Sequence, residues 1–211
     1  FLLNQTPSVV VSSDAGNGIG YTGIRIRGSD PTRLNVTING IPYNDPESQG
    51  TFWVNLPDFA SSVDNIQIQR GVGTSTNGAG AFGGSLNIQT TTKQDSAYAE
   101  LNNTFGSYQT VKNTVSAGTG LINNKFSFDG RLSRIKSDGY IDRGSSALKS
   151  YFLSGAYYGK KDLLRVNVFS GSEKTYQAWN GVPENLLKTN RTFNGFTYDD
   201  QTDNYTQDHY Q

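Results

Sequence analysis

The chain contains no cysteine and a single histidine, His209, two residues from its end. Without thiols there is no disulfide framework and no thiolate metal site. One histidine leaves imidazole-ligated metal chemistry nothing to build on. No run approaches the roughly 18 consecutive apolar residues of a membrane-spanning helix, although strands of a transmembrane barrel alternate and escape hydropathy averages. Charge of one sign is also missing, with 18 Lys plus Arg against 18 Asp plus Glu. No net field therefore argues for nucleic acid or an anionic surface. Phe1-Leu2-Leu3 lacks a basic leader and runs at once into Asn4-Gln5-Thr6, unlike a signal peptide. The pattern begins and stops in mid-run, so the chain is expected to be a piece of something longer. There is no paired-carboxylate motif and no G-K-[ST] loop. An enzyme is not expected, and no catalytic residue, metal ligand or cofactor is assigned.

What is present is 24 Gly, 12 Tyr and 11 Phe among 211 residues that are only 34% hydrophobic, with abundant Asn, Ser and Thr. That mixture disfavours helices and suits strands separated by turns. Up to about residue 93 the strands are short. Ile24-Arg25-Ile26-Arg27 alternates into the turn cluster Gly28-Ser29-Asp30-Pro31, and Leu34–Ile38 alternates into Asn39-Gly40, a dipeptide suited to a tight turn. Leu56 to Val63 reads as one short helix, and Ile66–Gln69 and Leu86–Gln89 as further strands. From Gln94 the rhythm lengthens, and strands are expected near 96–105, 109–119, 125–136, 148–158 and 163–174, with a sixth starting near Asn204. Phe126, Phe128, Gly130 and Leu132 alternate with Ser127, Asp129, Arg131 and Ser133. These lengths suit tilted strands crossing a bilayer. The short links 120–124 and 159–162 lie on one side, and the longer 137–147 and 175–203 on the other, although the link 106–108 on that longer side is itself short. Such asymmetry belongs to outer-membrane barrels rather than soluble sandwiches.

Four ordered motifs carry a resemblance: Ile26-Arg27-Gly28, Asn39-Gly40-Ile41-Pro42, Arg70-Gly71, and Gly78-Ala79-Gly80-Ala81-Phe82-Gly83-Gly84 with Asn87-Ile88. In this order and spacing the region 6–92 resembles the plug domain of TonB-dependent outer-membrane receptors. Asn39 stands where that family usually has Asp, Gln67 and Gln69 where Glu is frequent, and Asn77 where Tyr is common. Gly78 to Gly83 also satisfies G-x-G-x-x-G, but no strand immediately precedes it and a strand rather than a helix follows, so nucleotide binding is set aside.

The resemblance implies a mixed α/β plug domain, residues 1–93, a small and mostly β unit with short helices. Residues 94–211 would form the first five or six antiparallel strands of a transmembrane β-barrel, a fragment of a 22-stranded barrel. The implied function is energy-dependent import, across the cell outer membrane, of a scarce nutrient: a ferric siderophore, another metal chelate, cobalamin or haem. The plug would gate the lumen. Alternatives are a TonB-dependent glycan or oligosaccharide importer, and a soluble β-rich surface glycan-binding module. Implied partners are a TonB-type energy-transducing inner-membrane complex acting through a segment upstream of Phe1, outer-membrane lipid and a small-molecule ligand, but no nucleic acid. The segment Thr175–Glu184 and the tail Thr202–Tyr210 resemble receptors of the Bacteroidetes, which allows a surface lipoprotein partner. By the same resemblance the plug apex offers Ser29, Asp30, Tyr43, Asn44, Asp45, Phe52 and Trp53 to ligand, and an outer loop offers Tyr176 and Trp179. Arg27 and Arg70 are the expected plug–barrel contacts, through guanidinium forks bonded to wall carboxylates.

Overall fold

A computed structural model describes residues 3, 5–13, 22–72, 81–90 and 93–206. Its first part holds two small sheets. Strands β1 (Val9–Ser13) and β2 (Thr22–Ile26) pair antiparallel over five residues. Strands β3 (Leu34–Ile38), β4 (Ile41–Pro42), β5 (Asn65–Arg70) and β6 (Gly84–Gln89) form a sheet of order β4-β3-β6-β5. Asn39 and Gly40, with φ of 52° and 82°, make the two-residue turn between β3 and β4. Both central residues of that turn type need positive φ, which Asn and Gly supply at least cost. β3 and β6 run parallel, pairing Leu34 with Gly84 through Ile38 with Ile88. β6 is the buried centre, flanked by β5 with Ile68 opposite Leu86. Val9, Ile24 and Ile26 from the small sheet join Leu34, Val36, Ile38, Leu86 and Ile88 in one core.

The expected helix at 56–63 is instead two separate 3₁₀ turns, Trp53–Asn55 and Phe59–Ser62. Pro57 brings no amide donor, and Asp58 sits in the left-handed region at φ 48°. A continuous helix cannot pass through that pair. β1 was not anticipated either, because Val9-Val10-Val11 does not alternate.

Five long strands follow: β7 (Tyr98–Gly106), β8 (Thr110–Gly118), β9 (Phe126–Ser137), β10 (Ser146–Tyr158) and β11 (Leu163–Thr175). Each pairs antiparallel with its sequence neighbour, so the wall is a simple meander. Its polarity is inverted relative to a water-soluble sheet. Along β9, Ser127, Arg131, Ser133 and Ser137 are buried while Phe126, Phe128 and Leu132 are exposed, Leu132 to 63%. β10 repeats the apolar outside with Tyr151, Leu153 and Tyr157, while its inward face alternates Ser146, Ser150 and Ser154 with buried Leu148, Phe152 and Ala156. A glycan-binding sandwich would bury the apolar set. Alternation with a polar inside and an apolar outside is what lipid on one face and a filled lumen on the other require.

The turns 119–125 and 159–162 close one edge of the wall, and the longer connections leave the other. Beyond β11 the chain forms a knot of loops with a two-residue ladder, β12 (Tyr198–Asp199) and β13 (Asn204–Tyr205). The sixth wall strand expected near Asn204 is, in the described residues, only this short ladder. Here Asn194 is fully buried, donating to the carbonyls of Asp142 and Gln177 at 3.1 Å each. Arg143 is held between the rings of Tyr176 and Tyr205, 4.8 and 4.1 Å from their centroids.

Candidate functional site: the contact between plug and wall

The segment Pro57–Asp64 crosses the inner face of the wall, and its side chains dock there in register. Pro57 meets the strand at Gly171, where an added Cβ would come within 2.5 Å of the proline ring and 2.6 Å of the Lys149 carbonyl. Only glycine leaves room for that approach. One residue on, Asp58 has a side chain 5% exposed and takes three partners from two wall strands. Lys112 of β8 lies 2.9 Å from one carboxylate oxygen. Arg131 of β9 lies 3.3 Å from the other, and the Ser133 hydroxyl donates to that same oxygen. Within its own turn Asp58 also accepts from Ser61 at 2.8 Å.

The left-handed backbone at Asp58 aims the carboxylate outward from the plug while Phe59 points along the wall. Phe59 packs against Phe152 at 6.4 Å and Phe169 at 5.3 Å, and those two rings stack at 15°. Arg131 completes the set, donating through Nε to Ser62 at 2.7 Å and through Nη2 to Ser150 at 3.1 Å. Its side chain is 6% exposed. A buried guanidinium with carboxylate and hydroxyl partners is tolerable; the same group alone is costly. A cleft of about 290 Å³ remains between the two parts, lined by Asp64, Glu100, Asp129 and Arg131 among others.

Arg27 and Arg70 are placed differently. Both are exposed, and their contacts among the described residues lie within the plug. The Arg27 backbone donates to the Ser8 carbonyl at 2.8 Å and its guanidinium lies against Gly71, while Arg70 reaches the Pro7 carbonyl at 3.4 Å. The wall contact therefore uses a plug carboxylate and wall cations, the reverse of the expected polarity. Nothing local in Leu56-Pro57-Asp58-Phe59 marks Asp58. The available signal was Arg131, a cation on the inward face of β9 beside small serines.

The apex candidates divide into three groups. Ser29, Asp30, Asn44 and Asp45 gather in loops at the amino end of β3. Asn44 is a clip, accepting from Val36 N–H at 2.7 Å and donating to the carbonyls of Leu34 and Gln49. Asp30 accepts from the Thr32 backbone and hydroxyl, which holds its carboxyl below the ordinary range. Asp45 is lowered in the same way by the Ser48 N–H. Tyr43 and Trp53 pack against the core, and burial pushes the Tyr43 phenol up. Phe52 is the apex aromatic left open, 45% exposed. In the outer loops Tyr176 is buried beneath Arg143, whereas Trp179 is exposed and packs on Phe196 at 5.4 Å.

A plug sheet set against an inverted strand wall is similar in fold to outer-membrane receptors of known structure. Residues 2–85 match the family model described as TonB-dependent Receptor Plug Domain. The ferric yersiniabactin uptake receptor FyuA from Yersinia pestis superposes with a TM-score of 0.72 at 15% identity, over 99% of this chain and 33% of that one. The copper transporter OprC gives 0.68 at 18% identity, over 85% and 28%. The pyoverdine receptor FpvA from Pseudomonas aeruginosa gives 0.63 at 15% identity, over 85% and 26%. The chain thus spans between about a quarter and a third of these structures. No match was found among curated proteins.

Proposed function

We propose that this chain is the plug, residues 1–93, and the opening wall, residues 94–211, of a TonB-dependent transporter of the outer membrane. One observation carries the reading: an apolar-outside wall whose Ser-rich inner face is clipped to a plug through Asp58, Arg131 and Lys112. Such a clip blocks a lumen, yet its charged groups regain hydration once water enters between them, which offsets much of the lost attraction. β7 and β11 are open edges, which cannot stand unpaired in lipid, so further strands complete the cylinder. Arg27 and Arg70, exposed on the plug, are assigned to contacts with those strands.

The cargo class is a metal chelate such as a ferric siderophore. Support comes from the similar structures, whose names specify ferric yersiniabactin, pyoverdine and copper. Exposed Phe52 and Trp179, with Ser29 and Asp30, are the contacts assigned to it. Energy would arrive from an inner-membrane TonB-type complex pulling ahead of Phe1. The resemblance of 175–184 and the tail supports a Bacteroidetes source.

Deleting the parent gene under iron limitation should abolish accumulation of radiolabelled iron supplied as its siderophore, and a protonophore should do the same in the wild type. Accumulation unchanged by either treatment would refute energy-dependent import.

A further inference from the structure

Register fixes which side chains of the wall face away from the plug, and their charges are sorted completely. The outward positions of β7–β11 include Arg134, Lys136, Lys149 and Lys174 but no Asp or Glu. The strand carboxylates Glu100, Asp129 and Glu173 all occupy inward positions. The four cations share one small area. Arg134 and Lys149 are direct cross-strand partners, and one row further Lys136 and Lys174 both pair with Ala147. Adjacent strands are about 4.8 Å apart and successive same-face rows about 6.8 Å, so the group spans little more than a headgroup. Like charges placed directly opposite repel. Among the described residues Arg134, Lys136 and Lys149 form no salt bridge, so that repulsion is not relieved from within the protein.

The row on the other side of Arg134 and Lys149 is apolar. Leu132 and Tyr151 are cross-strand partners there, with Val115 beyond Leu132 and the small Ser170 beyond Tyr151. The same residues line an outward trough of about 520 Å³. All the cations lie in the half of the wall nearest the long connections, away from the turns 119–125 and 159–162.

We propose that this outward trough is a binding site for a phosphorylated membrane lipid, its phosphate on Arg134 and Lys149 and an acyl chain along Leu132, Val115 and Tyr151. The inference rests on the transporter reading, which puts this face in lipid. Charge complementarity selects the occupant: a phosphate neutralises two facing cations, and Arg bonds phosphate in a bidentate fork. An apolar row one pleat below rules in a lipid over a free anion.

The test is native mass spectrometry of the intact receptor, released from bilayers into detergent and offered bisphosphorylated lipid A, the same lipid stripped of phosphate, or inorganic phosphate. The wild type should retain the bisphosphorylated lipid and neither of the others. Each cation near an anionic lipid surface is worth roughly fivefold, so R134Q/K149Q should cut retention about thirtyfold. S116A, on the inward face, should leave it unchanged. Equal retention by wild type and R134Q/K149Q, or displacement of the lipid by inorganic phosphate, overturns the site while leaving the transporter reading intact. Failure of the wild type to enter bilayers overturns both.

Discussion

Replacing Asp58 by Asn removes the negative charge that Lys112 and Arg131 share at the plug–wall contact and leaves the shape nearly unchanged. Asparagine also accepts the left-handed backbone seen there, at φ 48°, so the perturbation is electrostatic. What remains is Arg131, with a side chain 6% exposed and only Ser62 and Ser150 as strong partners, beside Lys112 at 31%. Removing one partner from a buried ion pair costs about 3–5 kcal/mol. Lys112 is nearly a third open to water and can rehydrate, so its share is discounted and about 3 kcal/mol is expected, chiefly at Arg131. The Phe59–Phe152–Phe169 cluster and the Pro57–Gly171 approach survive, so the plug should loosen rather than leave. About 3 kcal/mol is roughly a 150-fold rise in the population of the detached segment. Hydrogen exchange of the amides between residues 59 and 66, in the intact protein in a bilayer, reads that population. Raising salt should change the effect little, because a buried pair is weakly screened. An exchange rate in D58N within a few-fold of wild type, under conditions where exchange follows equilibrium opening, would refute this account of the clip.

The outward face predicts that Val166→Arg, near the middle of the apolar band, costs about 2–4 kcal/mol of folding stability in lipid vesicles; no loss by urea titration would mean that this face is not in lipid. Asn44→Ala removes three hydrogen bonds of 2.7–2.9 Å, each worth about 1 kcal/mol. Protease cleavage within 45–50 should accordingly become much faster, and unchanged cleavage would show the clip to be idle. The Asp45 carboxyl is depressed by the Ser48 N–H, so its contribution to turn order is complete above the ordinary carboxylate value and is lost as pH falls through the lowered one. Carbon NMR of selectively labelled Asp should place its titration below that of a free Asp; a titration at or above the ordinary value would remove the bond from the account.

What could be read ahead depended on range. The Asn39-Gly40 turn and the alternation of β9 and β10 are written into neighbouring residues, and both formed as expected. The wall strands came within a few residues of their expected bounds because two faces of unlike surroundings expose the strand's period of two in the sequence. The parallel pairing of β3 with β6 joins residues about 50 apart, and no local pattern encodes it. Asp58 likewise draws its role from Lys112, Arg131 and Ser133, each more than 50 positions away. Tyr176 was offered to ligand by the resemblance of its loop to an outer loop of known receptors. Its burial comes from Arg143 and the distant Tyr205 folding over it. The helix expected at 56–63 failed for a nearer reason, the Pro57-Asp58 step that sends the chain left-handed.

The five-strand meander has a parity that constrains whatever joins it. β7 and β11 climb in the same direction, from the edge of short turns toward the edge of long connections. Two copies set side by side in one orientation would therefore meet in parallel, the less stable ladder, so self-assembly is a poor way to cover the open edges. A strand pairing antiparallel with β11 would have to descend from the edge of long connections. The knot of aromatic loops built on Asn194 and Arg143 sits at that edge, where such a strand would have to start.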